Sequence, residues 1–434
     1  MDNNKTQRTS VVSRRDFLKA GAATSATVAF APGKAFAAGS DTIRIALIGC
    51  GSRGTGAAKN CLASSEGLQL IALADLFEDK LAAGLAAIKK DFPDQVKVTP
   101  ETTFIGFDAY KKVMATKDVD VVLLTTPPGF RPTMVAAAVE AGKHIFMEKP
   151  GGVDPVGIRS LMASADKADE KGLSIVVGTQ QRWQPQYQMV IEKLRNGELG
   201  DIVSGQAYWH WGSSKWHWQP RKPQWSDMEW QIRCWPYFVW LSGDHIVEQH
   251  MHNMDIINWA IGSPPIQCLG IGGRQQRTGT EFGNIWDHFA VEYEYENGIR
   301  VASYSSQIQG STSRVGERIV GTKGSFWTDR GKGYITDTRG EKIWSYEGRN
   351  WSGLVAEHAG LIKSIRDGKP INECRRLATS TMTMIMGRMS AYTGRALSWK
   401  WVMKSSKLDL SPEKLQLGPL PVRPVAVQGE VLPV

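Results

Sequence analysis

The chain has 434 residues, enough for two or three domains, and its 42% hydrophobic and 22% charged composition excludes a disordered, collagen-like or fibrous protein. No uncharged apolar run reaches the ~18 residues needed to span a bilayer, which excludes a polytopic membrane protein. The net charge of +9 raises the question of nucleic acid, but Lys5, Arg8, Arg14, Arg15, Lys19 and Lys34 against Asp2 and Asp16 put +4 of it in residues 1–37, and the other basic residues are dispersed among acids, so no nucleic-acid partner is expected.

Residues 1–37 read as an export signal. Ser13-Arg14-Arg15-Asp16-Phe17-Leu18-Lys19 has the twin-arginine pattern, a weakly hydrophobic stretch runs from Ala20 to Ala31, and Ala35-Phe36-Ala37 is a small-residue cleavage site. The mature protein is expected to begin near Ala38, in the periplasm or otherwise outside the cytoplasm, without stable membrane insertion. Twin-arginine export carries folded proteins, which suits a protein that loads a cofactor before it leaves. The five Cys are odd in number and form no CxxC pair, so neither a disulfide framework nor a Cys-based zinc site is expected.

Residues 38–178 read as a dinucleotide-binding domain. The apolar strand 43–48 runs into Gly49-Cys50-Gly51-Ser52-Arg53-Gly54, a helix from Thr55 to Ala63 follows, and a second strand, 68–74, ends at Asp75. Strand, GxGxxG, helix, strand and acid stand at the spacing of a dinucleotide fingerprint. Gly49 permits the tight turn, Gly51 lets a pyrophosphate approach the backbone, and Gly54 lets the helix pack close to the sheet. The helix N-terminus supplies N–H donors for the phosphates. Asp75 can accept from the ribose hydroxyls and repels a 2′-phosphate, which favours NAD, with NADP possible.

Strands at 119–125, 143–147 and 173–177 alternate with helices at 131–141 and after Pro155, the pattern of a doubly wound parallel sheet. The first of these strands opens into Thr126-Pro127-Pro128-Gly129 and the second ends at Glu148-Lys149-Pro150. Gly49, Asp75, Thr126 and Lys149 thus stand at carboxyl ends of strands, where such sheets bind ligands.

These motifs together resemble the Gfo/Idh/MocA oxidoreductases, a family that includes glucose–fructose oxidoreductase and inositol dehydrogenase. The likeness extends from about residue 43 to 400, and 358–372 and 386–399 look like the family's late helices. It implies that residues 179–400 form a second α/β domain for substrate and oligomerisation, with an open-faced mixed, mainly antiparallel sheet, and that helices at about 355–395 pack back toward the first domain. Strands are expected at 202–209, 266–271, 288–296, 299–308 and 316–327, with a hairpin turn at Asn297-Gly298. The Pro-rich tail, 401–434, reads as an extended arm. A homodimer or homotetramer is expected.

By the same resemblance Lys149 and His252 are the catalytic pair, and Glu248 stands where the family has Asp. His250 replaces a small residue and is expected to crowd the site. On a helix Glu248, His252 and Asp255 share one face. A His suits removal of a hydroxyl proton near neutral pH, and Lys149 can stabilise the oxygen that loses it. The cofactor site is expected to comprise Gly49, Gly51, Ser52, Arg53, Gly54, Asp75, Thr126, Pro127, Glu148 and Lys149, and the substrate to meet Lys149, Arg182, Trp183, His252 and Asp255. His245, His250, His252 and Glu248 have zinc-binding side chains, but no zincin motif is present and the family uses no metal, so none is expected.

Eight of the 16 Trp lie between 209 and 240, interleaved with His210, His217, Arg221, Arg233 and Tyr237. Most suit packing, with two or three near the substrate, since aromatic faces also stack on sugar rings. The expected function is an exported NAD(P)-dependent oxidoreductase acting on a secondary hydroxyl of a sugar, glycoside or polyol, with a tightly bound, recycled cofactor. The alternatives are a redox-neutral NAD-dependent glycoside hydrolase or lyase and a non-catalytic sugar-binding protein.

Overall fold

The structure, a computed structural model, describes residues 42–432 apart from 213–215, 330–331 and 349–351. The export signal lies outside the described residues.

The first half builds one parallel sheet. Its strands are β1 (Ile43–Ile48), β2 (Leu68–Asp75), β3 (Thr103–Ile105), β4 (Val121–Leu124), β5 (His144–Met147) and β6 (Ile175–Val177), in the order β3-β2-β1-β4-β5-β6. All four residues of β4 and all three of β6 are buried. Such unbroken apolar runs fit strands covered on both faces by crossover helices. The helix after β1 spans Ser52–Leu62, starting three residues before the expected Thr55. Asp154 caps the helix Pro155–Glu170 by accepting the Gly157 N–H at 2.7 Å, a cap the sequence places one residue before a helix-starting proline.

The second sheet has nine strands: β7 (Ile202–His210), β8 (Gln267–Gly273), β9 (His288–Glu294), β10 (Arg300–Ser306), β11 (Arg314–Gly321), β12 (Gly324–Asp329), β13 (Lys332–Asp337), β14 (Lys342–Ser345) and β15 (Leu397–Ser398). Their order is β14-β13-β12-β11-β7-β10-β9-β8-β15, antiparallel except for the β7–β10 pair. The expected single strand 316–327 is a hairpin, folded where Gly321 pairs with Gly324. The turn between β9 and β10 does contain Asn297 and Gly298 at φ 61° and 75°, the left-handed region those residues tolerate best.

One face of this sheet is covered by the helices Met251–Ile261 and Cys374–Thr393, whose Met254, Ile257, Met384 and Ile385 join Phe289, Val291 and Val301 in one core. The other face exposes Val203, Leu269, Ile271 and Tyr304. Leu361, Ile362 and Ile365 of the late helix Gly353–Arg366 pack instead with Leu47, Leu73, Leu123 and Phe146 of the parallel sheet. Among the described residues no helix is long and apolar enough to cross a membrane.

Candidate active site

The carboxyl ends of β1, β2, β4 and β5 open onto one cavity of about 830 Å³. Pockets of this size take cofactors and drug-sized ligands. Gly49, Gly51, Ser52, Arg53, Gly54, Asp75, Thr126, Pro127, Glu148 and Lys149 all line it, as do Glu248 and His252.

The glycine turn is shaped by contact. Gly49 has φ 97°, and a Cβ there would stand 2.9 Å from the Thr125 carbonyl carbon. A Cβ on Gly54 would stand 1.8 Å from the Gly49 carbonyl oxygen. Gly51, by contrast, has open space around it and no side chain caps the helix it starts. An uncapped helix N-terminus beside open backbone is a fit for an anionic phosphate. Asp75 accepts the Cys50 N–H at 2.6 Å and the Phe77 N–H at 2.9 Å, which fixes its carboxyl at the cavity wall. Burial raises its pKa, and those two donors act in the opposite sense. The residues present therefore fit a dinucleotide.

Arg131, fully buried, ties the neighbouring turns together. Its guanidinium donates to the Thr126 carbonyl at 2.5 Å and to the Pro150 carbonyl. Arg53 meets Glu148 at 2.5 Å and the buried Glu357 at 3.6 Å. Burial, reinforced by the Glu148 charge, pushes the Glu357 pKa well above the carboxylate range.

The Lys149 ammonium donates to Glu248 twice, to the carboxylate Oε1 at 2.7 Å and to the main-chain carbonyl at 2.6 Å. The other carboxylate oxygen, Oε2, is buried without a protein partner, as is His245 Nε2. Both residues border a second cavity of about 10 Å³, room for a single water. His252 stacks on Trp209, ring centres 6.0 Å apart, and its Nδ1 has no protein partner. Burial first, then the Lys149 charge, hold its pKa well below the ordinary imidazole value. The ring is therefore neutral near pH 7, and a weaker base than an ordinary imidazole while Lys149 stands charged beside it.

The expectation that Glu248, His252 and Asp255 share a helix face is corrected by the backbone. One turn, His245–Glu248, ends before a second helix begins at Met251. Glu248 and His252 reach the same cavity from either side of this break. His250, fully buried, does not crowd the cavity. It turns into the second sheet, with Nε2 2.8 Å from Ser303 Oγ and Nδ1 3.2 Å from Asn253 Oδ1.

Arg182, Trp183 and Asp255 are not among the residues lining the cavity. Arg182 grips both Asp255 oxygens, at 2.6 and 2.9 Å, and lies over Trp259 at 4.7 Å. Burial opposes charge on Asp255, yet Arg182, Arg376 and Ser380 together hold its pKa below the ordinary value. Of the Trp-rich segment, Trp216, Trp218, Trp235 and Trp240 line the cavity, with His217 and Arg233. Lining residues with no distinguishing sequence signal include Phe107, Tyr110, Gln180 and Leu354, and Ser411, Pro412 and Leu415 of the tail. Among the described residues, no three His, Cys, Asp or Glu are grouped to hold a metal ion.

A six-stranded 3-2-1-4-5-6 sheet with this glycine turn defines a dinucleotide-binding protein of the Rossmann class. The sequence matches the GFO/IDH/MocA oxidoreductase family, NAD-binding Rossmann fold, over residues 43–179, and the GFO/IDH/MocA C-terminal domain over 187–327. The chain belongs to the Gfo/Idh/MocA oxidoreductases. Residues 11–31 match the twin-arginine translocation signal.

Among curated proteins the chain is similar to a glycosyl hydrolase family 109 protein of Shewanella amazonensis, 30% identical over 165 residues, 38% of this chain and 34% of that protein. It is also similar to the scyllo-inositol 2-dehydrogenase (NAD(+)) of Bacillus subtilis, 22% identical over 286 residues, 66% of this chain and 73% of that one. The aligned part thus spans about a third of the length of the glycosyl hydrolase family 109 protein. Among solved structures, aldose-aldose oxidoreductase from Caulobacter crescentus, complexed with glycerol, has TM-score 0.64 at 18% identity over 82% of this chain and 99% of its own. Levoglucosan dehydrogenase, in complex with NADH and levoglucosan, has TM-score 0.64 at 17% identity with the same coverage. Both share the fold.

Proposed function

We propose that this family member is an exported, NAD-dependent enzyme that oxidises a secondary hydroxyl of a sugar, glycoside or polyol and keeps its cofactor bound through successive turnovers. The observation that carries this reading is the meeting of Lys149, Glu248 and His252 on the wall of the cavity that also holds the glycine turn. A bound nicotinamide supplies the hydride acceptor. The neutral His252 ring accepts the substrate's hydroxyl proton, Lys149 stabilises the oxygen left negative, and Glu248 holds Lys149 in place. The carboxyl of Asp75 favours NAD over NADP. The aromatic wall of Trp216, Trp218 and Trp235 suits a sugar or polyol ring.

The domain division at about residue 178, with the export leader ahead of it, belongs to the same reading. So does a homodimer or homotetramer formed through the open sheet face. There Tyr208 stacks on Tyr304 at 5.7 Å, Arg314 lies 3.6 Å over Tyr208, and Leu269 and Ile271 stand exposed.

A second reading, a redox-neutral glycoside hydrolase or lyase, is supported by the similarity to glycosyl hydrolase family 109 proteins. In that chemistry transient oxidation acidifies a neighbouring C–H, the aglycone alcohol is eliminated, water adds to the double bond left behind in the hydrolase case, and the hydride returns. The deciding experiment is mass spectrometry of the nucleotide released on denaturation, then a screen of sugars, polyols and aryl glycosides. A net change in cofactor redox state with sugar or polyol alone supports the first reading. Aryl glycoside cleavage without added NAD supports the second. A purified protein that carries and binds no nucleotide overturns both.

A further inference from the structure

The tail leaves the fold at the side of the cavity formed by the turns after β4 and β5. The Leu410 N–H donates to Asp154 Oδ2 at 2.9 Å, and Leu410 packs in one cluster with Trp240. Trp240 in turn stands edge-on to Phe130, just beyond the turn after β4, with ring centres 5.8 Å apart. Eight to ten residues later the tail is fastened to the helix Asp227–Arg233. Gly418 accepts the Met228 N–H at 3.1 Å, the Leu420 carbonyl accepts from Gln231 at 2.6 Å, and the Leu420 N–H donates to Asp227 at 3.1 Å.

That helix is fastened to the end of β2. The Arg233 guanidinium pairs with both Asp79 oxygens, at 3.0 and 3.1 Å, and lies 3.8 Å over the Phe77 ring, two residues past Asp75. Between these anchors Ser411, Pro412 and Leu415 face the cavity. The tail therefore crosses from the β4–β5 side to the β2 side, over the end of the cavity where Asp75 stands.

We propose that Pro412 and Leu415 form part of the nucleotide site. Together with the Arg233 clamp they cover the adenosine end of a bound dinucleotide, so that it leaves only when this cover opens. The proposal rests on the dinucleotide reading above and adds to it a kinetic barrier to release built from residues outside the sheet. It gives an exported enzyme a means of keeping a cofactor that it has no supply of outside the cytoplasm.

The test follows release of NADH from the full-length protein by its fluorescence, after mixing with a large excess of NAD. The variants are Pro412→Ala with Leu415→Ala, and separately Arg233→Ala. Leu415 is 45% exposed, so the paired change leaves the fold intact. Release is expected to be at least about tenfold faster in both, about 1.4 kcal/mol on the release barrier. A second measurement needs no variant: NAD should slow tryptic cleavage after Lys414. Release within twofold of wild type in both variants, or cleavage unaffected by NAD in a protein that binds it, overturns the proposal and leaves the dinucleotide reading intact. A wild-type protein that binds no NADH overturns both.

Discussion

Lys149 and Glu248 form a largely buried ion pair across two halves of the chain, 2.7 Å from ammonium to carboxylate, with the lysine also held by the glutamate's own carbonyl. Removing one partner of such a pair strands the other. Glu248→Ala is therefore expected to cost about 3 kcal/mol in stability. Glu248→Gln keeps one side-chain oxygen and the main-chain carbonyl as acceptors for Lys149, loses the charge, and replaces the second carboxylate oxygen with an amide NH2. It should melt within a few degrees of wild type but turn over roughly ten- to a hundredfold more slowly, with nucleotide content unchanged. Thermal melts and steady-state kinetics on the two variants separate support of Lys149 from support of the fold.

His252 is predicted to be the proton acceptor. His252→Ala should lower turnover at least about a hundredfold while nucleotide stays bound. Unchanged turnover would remove it from that role.

The glycines make opposite predictions. Gly54→Ala places a Cβ against the Gly49 carbonyl and should destabilise the apo protein itself. Gly51→Ala meets nothing in the protein and should melt normally. Its methyl instead occupies the approach to the helix N-terminus, so nucleotide affinity should fall about tenfold or more, about 1.4 kcal/mol. Calorimetric titration with NAD beside a thermal melt reads both effects.

His358 gives a pH signature. It is fully buried, lies 4.0 Å from Phe146 ring to ring, and neither ring nitrogen has a protein partner. Burial pushes its pKa from 6.5 to about 3. In the unfolded chain the ring takes up a proton near pH 6.5, while in the folded protein it does not. Its contribution is therefore full above that pH and is lost as pH falls toward 3, on the order of 3 kcal/mol between pH 6.5 and about pH 4. His358→Phe should remove this loss without lowering the melting temperature at neutral pH. Melts across the acid range test it.

The parallel sheet and its turn were readable because each element carries a local signal. β1 is an apolar run, Gly49 and Gly54 are required by torsion and space, Gly51 leaves the approach to the helix N-terminus open, and Asp75 ends a strand. The nine-stranded sheet was half readable. Gly321 and Gly324 bracket a turn inside what looks like one continuous strand, and β13 and β14 are short and polar. The break after Glu248 has no Gly or Pro to announce it. It comes with burial of the His250 ring between Asn253 and Ser303, and Ser303 is 53 residues away in sequence. Arg182 and Asp255 look like site residues by type, yet each has the other as its partner. The tail's place over the cavity depends on its anchors at Asp154 and Asp227, which no spacing in the tail encodes.

The five cysteines, Cys50, Cys61, Cys234, Cys268 and Cys374, are all free and all buried. Burial raises the pKa of every one, Cys61, Cys268 and Cys374 to about 12, so none carries a reactive thiolate at neutral pH. A thiol reagent should label none in the native protein and all five in denaturant. For a chain bearing a twin-arginine signal this sets an order of events. Threaded unfolded into an oxidising compartment, it would present an odd set of thiols free to cross-link wrongly. Folded first, it arrives with its sulfur chemistry already locked away.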